Sequence, residues 1–524
     1  MFKIKARDLL GRLGELQTRS GPIETPTLAP VISVSGGPLS ASEIKQIGFD
    51  VVITNAYLWM RKGEERNIHD ALNVTGPVMT DSGAYQLLVY KSINTNNEEI
   101  IKYQEKIKTD IGVILDTPTG MVNKTEAELT VDKTLKSEED AKKIITDEEI
   151  VWTAPIQGGL YKDLLDKMVN NAKKMDYPLY ALGSPTPLME GHMYADLFDE
   201  LYQVKMSLPS NKPLHLFGAG HPSMFSMAVA LGADVFDSAA YALFAKEGRY
   251  MTISGSEKIE NLKELPCSCP VCSKYKPSEL LKMEKREREK LLALHNLYAS
   301  MAEIKTIRNA IQSGKLWDLV ESRARNSPEL WEAFKNFALY SDGFLKRTAA
   351  RKISARGFSI IDEYSVYRPE VLWHINSMKK IIANRSNLVI TSREYANSCE
   401  KDCFVVGFPF VITLKTLNKV YPVYFAKFTS PSPEQELSYI QKKLVPILKD
   451  KKIEVLRDKS LAEVLNNNGI DAKFVDRSTK TLLRSENEGS NSCICINNAL
   501  KFKIRFIPRE KSFFRNILMI YLCA

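Results

Sequence analysis

Short apolar runs alternate with amphipathic stretches over the first 250 residues of the chain. Runs rich in Val, Ile and Leu are typical of strands that are buried on both faces. In the stretches between them, apolar positions recur every three or four residues, as they do in helices. Eight strands are predicted: Thr27–Val34, Val51–Asn55, Pro77–Thr80, Ile111–Leu115, Val151–Ile156, Pro178–Leu182, Leu214–Phe217 and Asp234–Phe236.

Helices are predicted between these strands, among them Glu98–Lys108, Glu138–Ile145, Lys162–Lys174 and Met193–Ser207. Strands that alternate with helices pair in parallel, because each helix carries the chain back across the sheet. Eight such units predict an α/β fold, a closed (β/α)8 barrel of the TIM type.

Polar residues or glycines directly follow six of the predicted strands. The carboxyl ends of barrel strands converge on one rim, which is where barrel enzymes hold their active site. A single aspartate at a strand end is more often a helix N-cap, but six such positions together predict a functional rim. These positions are Asp81, Asp116, Gln157, Gly183 with Ser184, Gly218 with Gly220, and Asp237.

A metal site is predicted from three cysteines and one histidine. Cys267, Cys269 and Cys272 lie in a proline-bounded loop, and His295 follows on a charged helical stretch. Three thiolates and an imidazole complete the tetrahedral shell of a structural Zn2+ ion and leave no open position for catalysis. The alternatives are a disulfide or buried free thiols. The pairs Cys399/Cys403 and Cys493/Cys495 have no such histidine partner and are interpreted as ordinary thiols.

Length and composition predict a protein of several domains. A chain of 524 residues exceeds one hydrophobic core, and its formal charge of +9 is compatible with a polyanionic partner without requiring one. The charged beginning of the chain does not resemble a signal peptide, and no apolar run has the length of a bilayer-spanning helix. We therefore expect a cytoplasmic protein without a membrane partner.

Four regions are expected along the chain. They are a catalytic barrel over 1–345 with a zinc subdomain at about 260–300, a C-terminal α+β domain over 346–430, a smaller domain over 431–485 and a basic tail over 486–524. A long helical region, Ser278 to Phe337, is expected to pack on the barrel flank. Later strands are predicted at Ser359–Tyr367, Asn387–Thr391 and Cys403–Leu414, with a helix from Glu434 to about Val445.

The tail alternates basic and apolar residues, which favours an edge strand. Its basic positions indicate either a solvated face or a nucleic-acid contact, and both interpretations stay open. They are Lys501, Lys503, Arg505, Arg509, Lys511 and Arg515.

Two aspartates are suited to glycosidic chemistry. Asp237 and Asp81 lie at the predicted rim, and two carboxylates across a sugar can break a glycosidic bond, one as nucleophile and the other as acid and then base. Tyr85 and Phe217 are placed to sandwich a planar base. Asp116 can accept N–H groups, and Gln157 can both donate and accept. The backbone N–H groups of Gly158, Gly159, Gly183 and Ser184 complete a pocket for a guanine-like heterocycle.

Six motifs occur in an order that resembles the tRNA-guanine transglycosylases, and the archaeal branch that begins archaeosine synthesis in particular. They are Asp81-Ser-Gly-Ala-Tyr-Gln, Gln157-Gly-Gly, Ala181-Leu-Gly-Ser, Phe217-Gly-Ala-Gly-His, Phe236-Asp-Ser-Ala and the cysteine–histidine site. The resemblance covers about Met1 to Tyr340. It implies a (β/α)8 barrel with a structural zinc subdomain.

The resemblance also implies the chemistry. Guanine at position 15 of the tRNA D-arm is exchanged for 7-cyano-7-deazaguanine (preQ0), with Asp237 as the nucleophile and Asp81 as the general acid and base. Asp116, Gln157, Gly183 and Ser184 match base-reading positions, and Tyr85 and Phe217 match stacking positions. A homodimer and a tRNA partner are implied as well.

Several features remain open at this point. His221, Lys246 and Arg249 are either phosphate contacts or ordinary surface charges. The segment from Val405 to Val420 resembles an accessory C-terminal domain of archaeal members, but no RNA-binding PUA barrel is identified after it. The alternative functions are a queuine-type transglycosylase that acts at the anticodon and a non-catalytic tRNA-binding partner subunit.

Overall fold

The computed structural model describes residues 2–85, 95–350, 357–399, 402–429 and 431–476. The chain divides after Arg356 into two compact units. Among the described residues, no helix combines the length and the apolar character that crossing a membrane requires. The predicted basic tail and the Cys493/Cys495 pair lie outside the described residues.

The first unit begins with a three-stranded antiparallel sheet, followed by the barrel strands. The strands of the small sheet are β1 (Phe2–Asp8), β2 (Gly11–Thr18) and β3 (Gly21–Thr25). Those of the barrel are β4 (Thr27–Pro30), β5 (Val52–Asn55), β6 (Val78–Asp81), β7 (Ile111–Val113), β8 (Val151–Ile156), β9 (Leu179–Leu182), β10 (Leu214–Leu216) and β11 (Val235–Ser238).

All eight predicted strands are present, and they form one parallel sheet in the order β4-β11-β10-β9-β8-β7-β6-β5. The two ends of this sheet meet at a parallel bridge between Val31 and Ile53, with an N–H···O bond of 2.7 Å from Ile32 to Ile53. The sheet is therefore closed, which confirms the predicted (β/α)8 barrel.

The barrel interior is filled by apolar side chains, and one end of it is covered by the small sheet. Leu16 and Ile23 of that sheet share a buried core with Ile53, Met79 and Ile111 of the barrel. This arrangement leaves the opposite end, where the carboxyl ends of the strands lie, open for a site.

Helices connect the barrel strands. They are α1 (Ala41–Ile47), α2 (Ala56–Arg61), α3 (Ile68–Leu72), α4 (Asn97–Lys106), α5 (Lys124–Ile144), α6 (Lys162–Met175), α7 (Thr186–Glu190), α8 (Tyr194–Ser207), α9 (Pro222–Ala230) and α10 (Ala240–Lys246). Side-chain caps begin several of them: the Asn55 side chain accepts from the Leu58 N–H and starts α2. The four predicted helices correspond to α4, the end of α5, α6 and α8.

Among the described residues of the first unit, a hairpin and five α-helices follow the barrel. They are β12 (Arg249–Thr252), β13 (Gly255–Lys258), α11 (Pro277–Lys282), α12 (Lys285–Ser313), α13 (Leu316–Ala324), α14 (Pro328–Leu339) and α15 (Ser341–Arg347). The long helix α12 packs against β1, β2, β4 and α10. This confirms the helical region predicted on the barrel flank.

The second unit contains a five-stranded sheet in the order β17-β16-β15-β19-β20 and a parallel pair, β14 and β18. Its elements are β14 (Phe358–Ile360), α16 (Pro369–Ala383), β15 (Asn387–Ser392), β16 (Phe404–Gly407), β17 (Val411–Leu414), β18 (Ala426–Phe428), α17 (Pro433–Leu448), β19 (Lys452–Leu456), α18 (Lys459–Asn467) and β20 (Ala472–Val475). The domain boundary expected near residue 430 falls inside this unit, because β15 pairs with β19 and one core contains residues from both sides.

Three predictions of secondary structure in this unit were wrong. The strand expected over Ser359–Tyr367 ends at Ile360, because the Asp362 side chain accepts the N–H groups of Tyr364 and Ser365 and turns the chain. The strand expected over Cys403–Leu414 is a hairpin of two strands.

The helix expected to end before Pro446 continues to Leu448. Proline removes one N–H donor from a helix, but Ile447 and Leu448 are buried in the core. Their packing holds the last turn in place.

The thiol interpretation of Cys399 and Cys403 is contradicted by the structure, which joins them in a disulfide. Their Cα atoms are 5.8 Å apart, within the usual range for a bridge. The interpretation as thiols was based on the lack of a histidine partner, which argues against a metal site but contains nothing about local loop geometry.

Candidate active site and metal centre

A cavity of about 910 Å³ lies at the carboxyl ends of the barrel strands. It brings together most of the residues predicted from the strand-end pattern. Those that line it are Asp81, Tyr85, Asp116, Gln157, Gly183, Ser184, Phe217, Gly218, Gly220 and Asp237. The prediction of one shared rim site is therefore matched by the geometry of the barrel.

Asp237 is held by one of its two carboxylate oxygens. Oδ1 lies 2.9 Å from Nε2 of His215 and accepts the N–H of Gly218, also at 2.9 Å. Within the described residues, Oδ2 has no hydrogen-bond partner. The carboxylate is thus fixed in orientation, while one oxygen remains available to a ligand in the cavity.

Asp81 ends β6 beside Asn55, the last residue of β5, because the two are paired in register. Its Oδ2 accepts from Nδ2 of Asn55 at 3.0 Å and from the N–H of Gly83 at 3.2 Å. Burial, and then the negative charges of Asp116 and Asp237, raise the pKa of Asp81 to about 7. A carboxyl with this pKa can donate and accept a proton near neutral pH.

Asp116 and Gln157 form a directional pair at the ends of β7 and β8. Nε2 of Gln157 donates to Oδ2 of Asp116. Oε1 of Gln157 already accepts from the Thr119 N–H at 3.0 Å and from the Ser184 hydroxyl at 2.9 Å.

The side chain of Gln157 can therefore offer only its second N–H to a ligand, whereas we had expected it to accept as well. Burial raises the pKa of Asp116 to about 6, although the hydrogen bond from Gln157 lowers it in part. The pair presents one acceptor and one donor, a pattern that complements the N1–H and O6 of a guanine-like edge.

Two glycines are required by close approaches in this pocket. A Cβ atom on Gly183 would lie 2.3 Å from Nε2 of Gln157, so any side chain there would displace the amide. Gly218 has a φ of +70°, a conformation that favours glycine, and in it the backbone N–H reaches Asp237.

Gly158 and Gly159 do not line the cavity. A Cβ on Gly158 would meet Leu165 of α6, so glycine at this position allows the chain after β8 to lie close to that helix. The two aromatic side chains predicted to sandwich a base both line the cavity, with Tyr85 47% exposed and Phe217 partly buried against His215 at a ring distance of 4.5 Å.

The predicted phosphate contacts are not equivalent. His221 lines the cavity, but burial lowers its pKa to about 4, so it is neutral at pH 7 and carries no charge for a phosphate. Lys246 is exposed and Arg249 is half-buried, and neither lines the cavity. Their role as phosphate contacts stays a prediction.

Comparison with known proteins identifies the family. Residues 8–329 match the family model described as queuine tRNA-ribosyltransferase (TGT). The chain is 39% identical over 469 residues to a tRNA-guanine(15) transglycosylase of Sulfolobus acidocaldarius. The aligned residues make up 88% of this chain and 94% of that protein. The chain belongs to the TGT family.

Two further TGT relatives carry the same name. The protein of Aeropyrum pernix is 44% identical over 377 residues, which cover 71% of this chain and 72% of the relative. The protein of Methanosarcina mazei is 40% identical over 429 residues, which cover 80% of this chain and 86% of the relative. These relatives confirm the archaeal TGT resemblance that the motifs indicated.

The predicted metal ligands of this TGT chain are gathered at one point. Ligand atoms of Cys267, Cys269, Cys272 and His295 all lie within 4.8 Å of one another and could hold a metal ion. Nε2 of His295 lies 2.9 Å from the carbonyl of Met251, which leaves Nδ1 for the metal. The ring of Tyr250 stacks on His295 at 3.6 Å.

Sequence reasoning missed two residues that position the carboxylates of the TGT site. Asn55 is the last residue of a predicted strand, so the strand-end rule would have found it. His215 is the one polar residue in the apolar run Leu-His-Leu-Phe, and a buried polar residue in such a run needs a partner. That signal points to a partner but does not identify Asp237.

Proposed function

We propose that this protein exchanges guanine at position 15 of the tRNA D-arm for preQ0, the first tRNA step of archaeosine synthesis. The observation that carries the proposal is the pairing of Asp237, which has one anchored and one available oxygen, with Asp81, whose pKa is near 7, in one cavity. The relatives named tRNA-guanine(15) transglycosylase support the choice of substrate and position. The reaction belongs in the cytoplasm, where tRNA is available.

The proposed reaction has two displacements. Oδ2 of Asp237 forms a bond to C1′ of the ribose as the bond from C1′ to N9 of guanine breaks, and Asp81 gives its proton to the departing guanine. Asp81 then removes the N9 proton of preQ0, N9 attacks C1′, and the ester to Asp237 breaks. One glycosidic bond replaces another, so no nucleoside triphosphate is consumed.

The base is read by the donor and acceptor that the pocket leaves free. Asp116 accepts the N1–H and amino hydrogens, while the second N–H of Gln157 and the backbone N–H of Ser184 donate to O6. The backbone N–H of Gly183, which was also predicted to donate, is already bonded to the Ile156 carbonyl at 2.9 Å. Tyr85 and Phe217 stack on the two faces of the base. Guanine and preQ0 share this edge, which explains how one pocket serves the leaving and the entering base.

The metal is proposed to be one structural Zn2+ per chain. Zinc bond lengths to sulfur and nitrogen give S···S and S···N separations of about 3.8 and 3.6 Å in a tetrahedron. The sulfur atoms of Cys269 and Cys272 lie 3.5 Å apart, and they lie 3.6 and 3.3 Å, respectively, from Nδ1 of His295. These residues fit zinc, which would fix the loop to α12 and take no part in the exchange.

Metal content tests this assignment. We expect about one zinc per chain by elemental analysis, lowered in Cys269→Ser, with a lower thermal midpoint after chelation. Cys403→Ser is the matched control and should keep its zinc. Stoichiometric iron, or a Cys269→Ser protein that retains full zinc, would contradict the assignment.

Labelled-guanine exchange tests the function. We expect incorporation into full-length tRNA at position 15, displacement of the label by preQ0, and no incorporation into an anticodon stem-loop. Exchange into the stem-loop would instead favour the queuine-type enzyme, the second candidate, which the description of the family model keeps open. A wild-type protein that binds tRNA without exchange would be the non-catalytic partner subunit.

The active unit is proposed to be a homodimer, as the family resemblance implies. Light scattering of the purified protein should give twice the 59.2 kDa mass of the chain. A monomer that is fully active would refute this part of the proposal.

A further inference from the structure

The catalytic cavity extends beyond the residues that the exchange reaction uses. Its volume of about 910 Å³ is near the upper end of the range for small-ligand sites, roughly 300–1,000 Å³. The base-reading residues come from the ends of β7, β8 and β9. Six other lining residues, which we call the outer lobe, follow β9, β10 and β11 or begin α14. They are Glu190, His192, Tyr194, His221, Phe244 and Glu329.

The outer-lobe residues are neighbours of one another and lie on the side of the nucleophile. The ring centroids of His221 and Phe244 are 6.1 Å apart, and those of His192 and Tyr194 are 5.8 Å apart in an edge-on arrangement. The charge of Glu329 raises the pKa of Tyr194 in addition to the larger effect of burial. Phe244 belongs to α10, which begins two residues after the strand that carries Asp237.

The charge of this lobe is unsuited to a phosphate. No lysine or arginine is found among the described residues that line the cavity, and Glu190 and Glu329 contribute carboxylates. His221 is half-buried, and desolvation lowers its pKa to about 4, so it is neutral at pH 7. Phosphate groups are bound by cationic side chains and backbone N–H groups, so an RNA backbone is expected to run outside the lobe.

The walls of the lobe suit a planar, uncharged heterocycle. Phe244 and Tyr194 are partly exposed to the cavity, and Leu243 beside them is 56% exposed. Stacking of a base on an aromatic side chain contributes about 1–3 kcal/mol and tolerates any base. Aromatic faces without a nearby cation therefore match an unstacked nucleobase better than a sugar or a phosphate.

We propose that the outer lobe binds the base of a nucleotide directly adjacent in the RNA to the exchanged one. This inference rests on the proposed function, because it places the target ribose at Asp237. A target nucleotide extruded from a folded tRNA breaks the stacking of its neighbours. A neighbouring base that enters the lobe regains a stacking partner and fixes the ribose in front of Asp237.

A double-mutant cycle between protein and RNA tests the proposal. tRNAs with an abasic residue on the 5′ or the 3′ side of the target are combined with wild-type enzyme and with Phe244→Ala. The abasic residue on one side and Phe244→Ala should each lower kcat/KM by about 5- to 100-fold, the range that one lost stacking contact gives. Combined, they should cost no more than either change alone, because both remove the same contact.

Two controls make the result specific. Leu129→Ala, at a 57% exposed position on α5 that does not line the cavity, should leave the abasic effect unchanged. Tyr194→Leu is a second lobe variant, for the case in which Phe244→Ala does not fold. If each lobe variant and the abasic residue lower kcat/KM independently, so that their factors multiply whichever side carries the abasic residue, the lobe does not hold a neighbouring base.

The same cycle is measured in tRNA binding by fluorescence anisotropy. If the wild-type enzyme exchanges no guanine, the proposed function fails. The binding data then still decide whether the outer lobe holds a neighbouring base, because a lobe variant and an abasic neighbour should show coupling in tRNA affinity. If exchange occurs and neither exchange nor binding shows coupling, only the subsite is overturned.

Discussion

Two aspartates at opposite ends of β11 have opposite surroundings. Asp234, just before the strand, is 1% exposed and bonds to Arg12, to Lys205 and to the N–H of Leu214. Asp237, three residues later, lies at the cavity and is held by a histidine and a backbone N–H. The closed end of the barrel thus pairs its carboxylate with cations, whereas the open end does not.

The consequence of this difference appears in the proton affinities. Burial alone raises the pKa of Asp234, but the charges of Arg12 and Lys205 outweigh it, and the pKa lies below its ordinary value. At the open end burial raises the pKa of Asp81 to about 7 and that of Asp116 to about 6, with no cation to oppose it. Paired carboxylates stabilise the fold, and unpaired ones are kept at a cost in stability because they do chemistry.

The largest expected effect is the loss of chemistry at the open end. Asp237→Asn should lower guanine exchange by at least about 10³-fold, because removal of a covalent nucleophile leaves only binding and electrostatic effects. It should also abolish the covalent adduct between enzyme and tRNA, measured on denaturing gels. Asp234→Asn is the matched control, which should keep near-normal exchange per folded molecule. Equal losses in both variants would remove the distinction between the two ends.

The second effect is a loss of stability at the closed end. Asp234→Asn should lower the free energy of unfolding by about 3–5 kcal/mol at pH 7, because Arg12 and Lys205 would be left buried without a counter-charge. A carboxyl with a lowered pKa contributes its stability above its unfolded pKa of about 3.9, so the difference should shrink as the pH falls below that value. Denaturant unfolding measures it, and Asp237→Asn should stay within about 1 kcal/mol of wild type.

The third effect runs in the opposite direction. Because the pKa of Asp81 is raised in the folded state, that state binds more protons than the unfolded one between about pH 4 and 7, and stability falls across this window. Asp81→Asn should therefore stabilise the protein above pH 7, by up to about 4 kcal/mol, because the pKa of Asp81 is about 7 in the folded state and about 4 in the unfolded state.

This gain should disappear below about pH 4, where the wild-type carboxyl is protonated in both states. Thermal midpoints at several pH values measure it. A variant that is less stable than wild type at pH 8 would show that the hydrogen bonds to Asn55 and Gly83 outweigh the effect of burial.

Only one side of this contrast, the residues at the open end of the barrel, could be predicted from the sequence. Strand-end positions gave the rim residues Asp81, Asp116 and Asp237, because the direction of parallel strands fixes where their carboxyl ends meet. Asp234 also stands at a strand boundary, but its partners Arg12 and Lys205 come from distant parts of the chain. Such pairing depends on the tertiary packing of β2 and α8, which no local pattern encodes.

The same reason explains the errors in detail. The Cys399–Cys403 bridge and the turn at Asp362 depend on loop geometry, and the last turn of α17 depends on packing around Pro446. The role of Gly158 in the base pocket, which was inferred from its motif, is not among these errors and stays a prediction, although this residue does not line the cavity.

The smallest effect concerns His215, which reaches across from β10 to position the carboxylate of Asp237. It is fully buried, and its Nε2 lies 2.9 Å from Oδ1 of Asp237. His215→Leu should lower the rate of covalent adduct formation by roughly 10- to 100-fold, about the 1.5–3 kcal/mol of a hydrogen bond to a charged group, while KM for tRNA changes little. His215→Gln keeps an N–H donor on a chain of similar reach and should recover part of that rate. If KM rises and kcat falls by similar factors in both variants, His215 only supports the wall formed by Phe217. The anchoring of Asp237 at the open end then depends on Gly218 alone.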